Sequence, residues 1–192
     1  MSEKTSLKDL LIEKVVLNGH FLLNSGRHTL SYVEKDLILY DEILRTKVID
    51  SLATQLSLFK YKFDTITGPP EAGMILAGML AYKLGLKFVI AEKVNNWNDP
   101  FRFRSSSVSK LSKCDLIVIE DVITTGNSVS GLISQAEQDG AFISGIFSIW
   151  NRTHWKHPYI ETISLIQHEI VDWDEADCPA CREGNSITLP KI

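Results

Sequence analysis

No stretch limits the fold of this chain as tightly as Leu116 to Ser130, which reads Leu-Ile-Val-Ile-Glu-Asp-Val-Ile-Thr-Thr-Gly-Asn-Ser-Val-Ser. Leu116 to Ile119 is an unbroken apolar run, β-branched at three of its four positions. Such a run suits a strand buried on both faces, as in a parallel sheet. Two acids follow, Glu120 and Asp121, and then a small-polar loop of Thr124, Thr125, Gly126, Asn127 and Ser128. A helix is expected from about Val129 to Gln138. A strand, a hydroxyl-rich turn and a helix N-terminus together make an anion site. Backbone N–H groups converge there, the helix dipole favours negative charge, and hydroxyls add donors.

The acids narrow the ligand. Two carboxylates beside a bound phosphate would repel it directly, but they suit sugar hydroxyls, or a divalent metal, lying just beyond it. The pattern therefore points to a ribose phosphate, with phosphate in the loop and hydroxyls on the acids. It is not a Walker loop, because no Gly-Lys-Ser/Thr is present. The bland alternative is an ordinary buried strand leading into a capped helix.

Val118-Ile119-Glu120-Asp121-Val122-Ile123-Thr124-Thr125-Gly126 resembles the motif of type I phosphoribosyltransferases that binds PRPP (5-phosphoribosyl 1-pyrophosphate). The Glu-Asp-Val-x-Thr-Thr-Gly-x-Ser form is most similar to the orotate members of that family. The resemblance covers about Gly19 to Lys191. It implies an α/β fold: a mainly parallel central sheet flanked by helices, with a small N-terminal hood. The expected organisation is a single domain over 1–192, with a hood at about 19–38 joined by a C-terminal tail at about 163–192, and a lid loop at about 94–110. In this family Glu120 and Asp121 would be catalytic, and Val122, Ile123, Thr124, Thr125, Gly126, Asn127 and Ser128 would bind PRPP. The implied cofactor is Mg²⁺, held mainly by PRPP, with Asp121 the candidate protein ligand.

A second strand–turn–helix reads Thr65-Ile66-Thr67 into Gly68-Pro69-Pro70-Glu71-Ala72-Gly73, then a helix from about Met74 to Leu84. Glycine permits close backbone approach and proline fixes the turn. In the family this place holds the pyrophosphate of PRPP, so Gly68, Pro69, Pro70, Glu71, Ala72 and Gly73 are expected to bind it. Some members carry a Lys in this loop where this chain has Ala72.

Lys87 to Lys93 reads as a strand. Val94 to Lys110 is the longest irregular segment, and a loop of that length in a compact domain is usually functional or disordered. The resemblance implies a lid that closes over PRPP. Here the chain departs from the usual orotate pattern, Arg-Lys-x-x-Lys-x-His-Gly. Only Lys93 matches, and Asn96 and Asn98 stand where Lys and His are usual. Arg102 and Arg104 are similar to an arginine pair in a subset of bacterial and archaeal members. Lys93, Arg102 and Arg104 are thus the candidate cations for the departing pyrophosphate. The alternative is that the arginines merely solvate a loop.

Ala141 to Trp150 reads as a strand leading to Asn151-Arg152. The family has Asp-Arg there, its Arg facing the orotate carboxylate as a bidentate pair. Arg152 matches and Asn151 replaces the acid. Gly19 to His28 resembles the family's hood, so Ser25, Gly26 and Arg27 join Arg152 and Thr124 as candidate orotate contacts. An exposed hairpin turn would favour Asn-Ser-Gly in any case.

The remaining elements are ordinary. Ser6 to Leu17 reads as a helix with Ser6 as cap, and Asp41 to Leu58 as another, with Ile43, Leu44, Val48, Leu52 and Leu56 on one face. Ile163 to Trp173 reads as a strand pair. Cys178-Pro-Ala-Cys181 resembles a family tail and is read as a structural turn rather than half a metal site. As a metal site it would need Cys114, His168 or a second subunit.

Composition sets the outer bounds. The 192 residues give room for a full core, and the net charge of −4 without a basic stripe argues against nucleic acid as partner. No apolar run approaches the ~20 residues of a membrane helix. No signal-peptide core is present at the N-terminus, and three cysteines do not make a secreted disulfide framework. The default compartment is the cytoplasm, and the resemblance implies a homodimer that uses PRPP and orotate. The alternatives are a transferase acting on a purine or another base, or a PRPP-binding regulator without catalysis.

Overall fold

The computed structural model describes residues 6–23, 25–94 and 101–188. In chain order the elements are α1 (Leu7–Val15), β1 (Val16–Leu22), β2 (His28–Val33), α2 (Asp36–Tyr40), α3 (Glu42–Ser57), β3 (Thr65–Thr67), α4 (Ala72–Leu84), β4 (Lys87–Phe88), β5 (Ala91–Lys93), β6 (Phe101–Phe103), α5 (Ser105–Leu111), β7 (Asp115–Ile123), α6 (Asn127–Gln138), β8 (Phe142–Asn151), β9 (Thr162–Gln167), β10 (Asp172–Trp173) and α7 (Pro179–Arg182). They fall into two compact units, Thr46–His168 and Met1–Arg45 with Glu169–Ile192.

The larger unit is built on a parallel five-stranded sheet in the order β4-β3-β7-β8-β9. Leu116, Ile117, Val118 and Ile119 on the central strand β7 are each 0% exposed, as the apolar run predicts. Alternation divides them between two layers. Leu116 and Val118 pack with Leu132, Ile133 and Ala136 of α6 and with Phe101 and Phe103 of β6. Ile117 turns to the opposite face, where Phe59 sets its ring edge-on to Phe147 at 5.0 Å. Full burial of each such side chain contributes about 1.5–3 kcal/mol, so the central strand anchors both layers.

Three elements differ from the sequence reading. Lys87–Lys93 is not one strand: β4 joins the main sheet, while β5 leaves it to pair antiparallel with β6. The segment expected to be irregular holds β6 and α5; residues 95–100 lie outside the described part. Ile163–Trp173 is not a pair either, because β9 runs parallel to β8 while β10 pairs with β2. Two short strands close in sequence look like a hairpin, yet each pairs into a different sheet.

The smaller unit is a three-stranded antiparallel sheet, β1-β2-β10, with α1 and α2. Ser6 caps α1 as expected, its Oγ accepting from the Asp9 N–H at 3.1 Å. The helix ends at Val15 and the chain passes directly into β1. The β1–β2 register shifts between Asn18 and Phe21, a bulge that contains Gly19 and His20. Arg27 ties the hairpin to the tail, donating from Nε to Asp172 at 2.5 Å and from Nη1 to Asp174 at 2.8 Å. In α3, Asp41 caps by accepting from the Ile43 and Leu44 N–H groups. Leu44, Val48, Leu52 and Leu56 are buried, but Ile43 is 65% exposed and does not belong to the apolar face. No helix of the described residues is long and apolar enough to cross a membrane.

Candidate active site

Within the larger unit, the C-terminal ends of β3, β7 and β8 carry three loops, the usual ligand side of a parallel sheet. The first loop is Gly68–Gly73. A Cβ on Gly73 would meet the Ile119 carbonyl oxygen at 2.7 Å and Glu120 Oε1 at 3.1 Å. A Cβ on Gly68 would meet Ile119 O at 2.5 Å. The two glycines therefore let this loop lie directly on the end of β7. Helix α4 begins at Ala72, earlier than expected, and its N-cap Glu71 makes no side-chain capping bond. The Pro70–Glu71 peptide is cis.

The second loop starts inside β7, which continues through both acids to Ile123. Glu120 and Asp121 are 7% and 6% exposed. Glu120 Oε1 accepts from the Asp121 N–H at 3.1 Å, and Asp121 Oδ1 accepts from the Val122 N–H at 2.8 Å. These bonds hold the carboxylates against their own backbone. Val122, Ile123, Thr124, Thr125, Gly126, Asn127 and Ser128 then curl, with Glu120, around a cup of about 30 Å³. Gly126 takes φ +76° at the start of α6, where as N-cap it offers no side chain, and Thr125 Oγ1 accepts from the Asn127 N–H at 3.5 Å. Thr124, Thr125, Asn127 and Ser128 ring that turn with polar groups. A helix N-terminus ringed by hydroxyls is a phosphate site on general grounds.

The third loop follows β8. Arg152 is 7% exposed, and its N–H donates to the Ile123 carbonyl, which sets it beside the second loop. In the sequence Asn151 stands out only as a departure from Asp-Arg, but in the structure its amide closes a turn. Nδ2 donates to the Trp155 carbonyl at 2.7 Å, while Oδ1 accepts from the Trp155 N–H at 3.1 Å and the Thr153 N–H at 3.3 Å. Only a side chain that both donates and accepts can make this set of bonds; aspartate would place a carboxylate oxygen against a carbonyl. Thr153 Oγ1 donates to the Thr124 carbonyl at 2.5 Å. The Trp155 ring covers Gly126 so closely that a Cβ there would overlap it. Trp155 is a site residue that the sequence reading does not find. The available signal is an aromatic residue four positions beyond Asn151.

The candidate lid cations lie around Glu92 on β5. Lys93 is exposed at the end of β5. Arg102 and Arg104 both bind Glu92, Arg102 Nη2 at 3.0 Å from Oε2 and Arg104 Nε at 2.8 Å from Oε1. The hydrogen bond from Arg104, then that from Arg102, lowers the Glu92 pKa below the usual carboxylate range. The ion pairs are therefore intact above the ordinary Glu pKa and are lost only as pH falls through the lowered value. Tryptic cleavage after Arg102 and Arg104, taken relative to an unstructured peptide with the same sites so that the protease's own pH dependence cancels, should be constant from pH 8 to about pH 5, and Glu92→Gln should speed it a few-fold throughout that range. Limited proteolysis followed by mass spectrometry reads this directly.

Ser25, Gly26 and Arg27 form the tip of the β1–β2 hairpin in the smaller unit. A larger, open cavity of about 560 Å³ lies at the opposite end of the main sheet, where Asp115, Phe142 and Glu161 precede or begin their strands. That is the wrong end for a ligand of a parallel sheet, and it lacks a phosphate loop.

Comparison with known proteins places this arrangement. Residues 39–176 match the family model described as "Phosphoribosyl transferase domain". The chain belongs to that family. An orotate phosphoribosyltransferase of Campylobacter jejuni is 31% identical over 91% of this chain and 91% of its own. Among solved structures, an orotate phosphoribosyltransferase from Aeropyrum pernix superposes with a TM-score of 0.70 at 21% identity, over 84% of this chain and 93% of the other. An adenine phosphoribosyltransferase from Thermoanaerobacter pseudethanolicus gives 0.66 at 19% identity, over 83% and 98%. The phosphoribosyltransferase fold is therefore established, and fold alone does not choose the base.

Proposed function

We infer that this phosphoribosyltransferase transfers ribose 5-phosphate from PRPP to orotate, releasing pyrophosphate and giving orotidine 5′-monophosphate. The observation that carries the reading is the buried Glu120–Asp121 pair on β7, with Glu120 lining the hydroxyl-rich cup. The choice of orotate is supported by the orotate relatives and by Arg152, a buried residue whose backbone N–H bonds the Ile123 carbonyl next to the second loop.

In this reading the 5-phosphate binds Thr124 to Ser128 and the α6 N-terminus. Glu120 and Asp121 take the ribose hydroxyls, and their negative charge stabilises the cationic sugar that develops as the C1–O bond breaks. The Gly68–Gly73 turn receives the pyrophosphate on backbone N–H groups, with Ala72 supplying no cation. Lys93, Arg102 and Arg104 are the remaining candidates to meet its charge. Orotate is already an anion, so no strong base is required, and Arg152 orients its carboxylate. Thr124, Ser25, Gly26 and Arg27 are carried as further candidate orotate contacts.

The two buried carboxylates are hard oxygen donors that fit Mg²⁺. The ion would be held mainly by PRPP, with Asp121 the candidate protein ligand, and would neutralise charge on the leaving group. A cytoplasmic homodimer is part of the same proposal. The test is pyrophosphate release from PRPP and Mg²⁺ against orotate, uracil, adenine, guanine and xanthine. Release with orotate alone is expected. Release with a purine alone would overturn the Arg152 assignment, and no release with any base would overturn the catalytic reading.

A further inference from the structure

The smaller unit contains a cluster that phosphoribosyl transfer does not use. His20 lies in the β1 bulge, His28 opens β2, and Cys178 and Cys181 flank the first turn of α7. Their ligand atoms all lie within 4.8 Å of one another. Cys178 Sγ and Cys181 Sγ are each 3.5 Å from His20 Nε2, Cys181 Sγ is 3.3 Å from His28 Nδ1, and the two imidazole nitrogens are 2.7 Å apart.

These separations match one chemistry. A tetrahedral zinc ion with bonds of about 2.0 Å to nitrogen and 2.3 Å to sulfur has ligand–ligand edges of about 3.3–3.8 Å. The sulfur–nitrogen distances already fit, and the two imidazoles need to part by about half an ångström. Burial agrees: His20, His28 and Cys178 are 5%, 4% and 0% exposed. The surrounding hydrogen bonds agree as well. His20 Nδ1 lies 2.9 Å from the Asn185 carbonyl, so its proton sits there and the Nε2 lone pair faces the cluster.

We propose that His20, His28, Cys178 and Cys181 form a closed structural zinc site that locks the C-terminal tail onto the β1–β2 hairpin. Binding releases the two thiol protons and changes no oxidation state. Four protein ligands leave no open position, so the ion is structural rather than catalytic. The tail has need of such a clamp, since among the described residues beyond Glu169 its regular structure is a two-residue strand, one 3₁₀ turn and a four-residue helix. Segments with so little core are commonly held by metals. Cys114 and His168, the partners that the sequence suggests for the two cysteines, are engaged elsewhere. Cys114 lies in the core of the larger unit, and His168 stacks edge-on to Trp150. All four ligands come from one chain, and the proposal does not rest on the transferase reading.

The test uses the full chain, free of any polyhistidine tag and purified without chelator from zinc-supplemented cells. Elemental analysis should find about one zinc per chain, and the Cys178→Ser/Cys181→Ser variant should lose it while Cys114→Ser keeps it. Because the double variant can fail to fold, wild-type protein is also produced in cobalt-supplemented medium. It should show a thiolate-to-cobalt charge-transfer band and the intense visible bands of a tetrahedral ion. Zinc below about a tenth of an equivalent together with no tetrahedral cobalt spectrum would overturn the proposal. So would zinc retained in the double variant, or a Cys178–Cys181 disulfide in protein isolated under reducing conditions.

Discussion

Asp121→Asn will lower kcat by about 10²–10³-fold while leaving the fold in place. The substitution conserves volume and keeps an oxygen that can accept from the Val122 N–H, as Asp121 Oδ1 does at 2.8 Å. What it removes is a negative charge at a site 6% exposed to solvent, where water screens little. That charge matters most when the sugar becomes cationic, so the loss falls on kcat more than on the KM for PRPP. Thermal stability should change little or rise, because a buried carboxylate costs desolvation. Steady-state kinetics alongside a thermal melt separates the two effects. Wild-type turnover in this variant would end the role assigned to the acid.

Gly68→Ala should give a large loss of stability. Its Cβ would fall 2.5 Å from Ile119 O and equally inside the backbone of Gly73, neither of which is a flexible side-chain end. The loop must move off β7, at a cost of about 3 kcal/mol. For a chain of this size that is a fall in Tm of about 6–12 °C, with weakened PRPP binding. Gly78→Ala is the matched control. Gly78 lies inside α4, and its Cβ would meet the Phe88 ring at 3.6 Å, an ordinary contact. There the helix gains about 0.5–1 kcal/mol from the lost glycine. The same chemical change with opposite sign at two positions in one unit would show that the cost at Gly68 is loop contact rather than glycine content.

The central motif is legible in the sequence because its determinants are local. A run of four apolar residues, two acids and a hydroxyl-rich turn each state their environment without reference to distant chain. The structure places them as strand, carboxylate pair and helix entry, although β7 runs through the acids rather than stopping before them. Asp41 and Ser6 are legible as caps for the same reason. Pairing is not. Nothing in Phe88 to Lys93 says that the strand breaks between two sheets, since periodicity reports burial and not the partner. The salt bridges from Arg102 and Arg104 to Glu92 depend on the β5–β6 register, which those short strands reveal only once paired. Trp155 and Asn151 escape because their partners are backbone atoms of a folded turn. The His20–His28–Cys178–Cys181 cluster is hidden most deeply. A chain separation of more than a hundred residues divides its halves, and the β2–β10 pairing and the Arg27 ion pairs bring them together.

The central claim is that orotate receives the ribose phosphate, and the most direct measurement is identification of the product. The chain is incubated with PRPP, Mg²⁺ and orotate, and the nucleotide is resolved by mass spectrometry alongside the pyrophosphate released. The account predicts orotidine 5′-monophosphate in equal amount to pyrophosphate. An adenine or guanine nucleotide formed with those bases, and none formed from orotate, would contradict it.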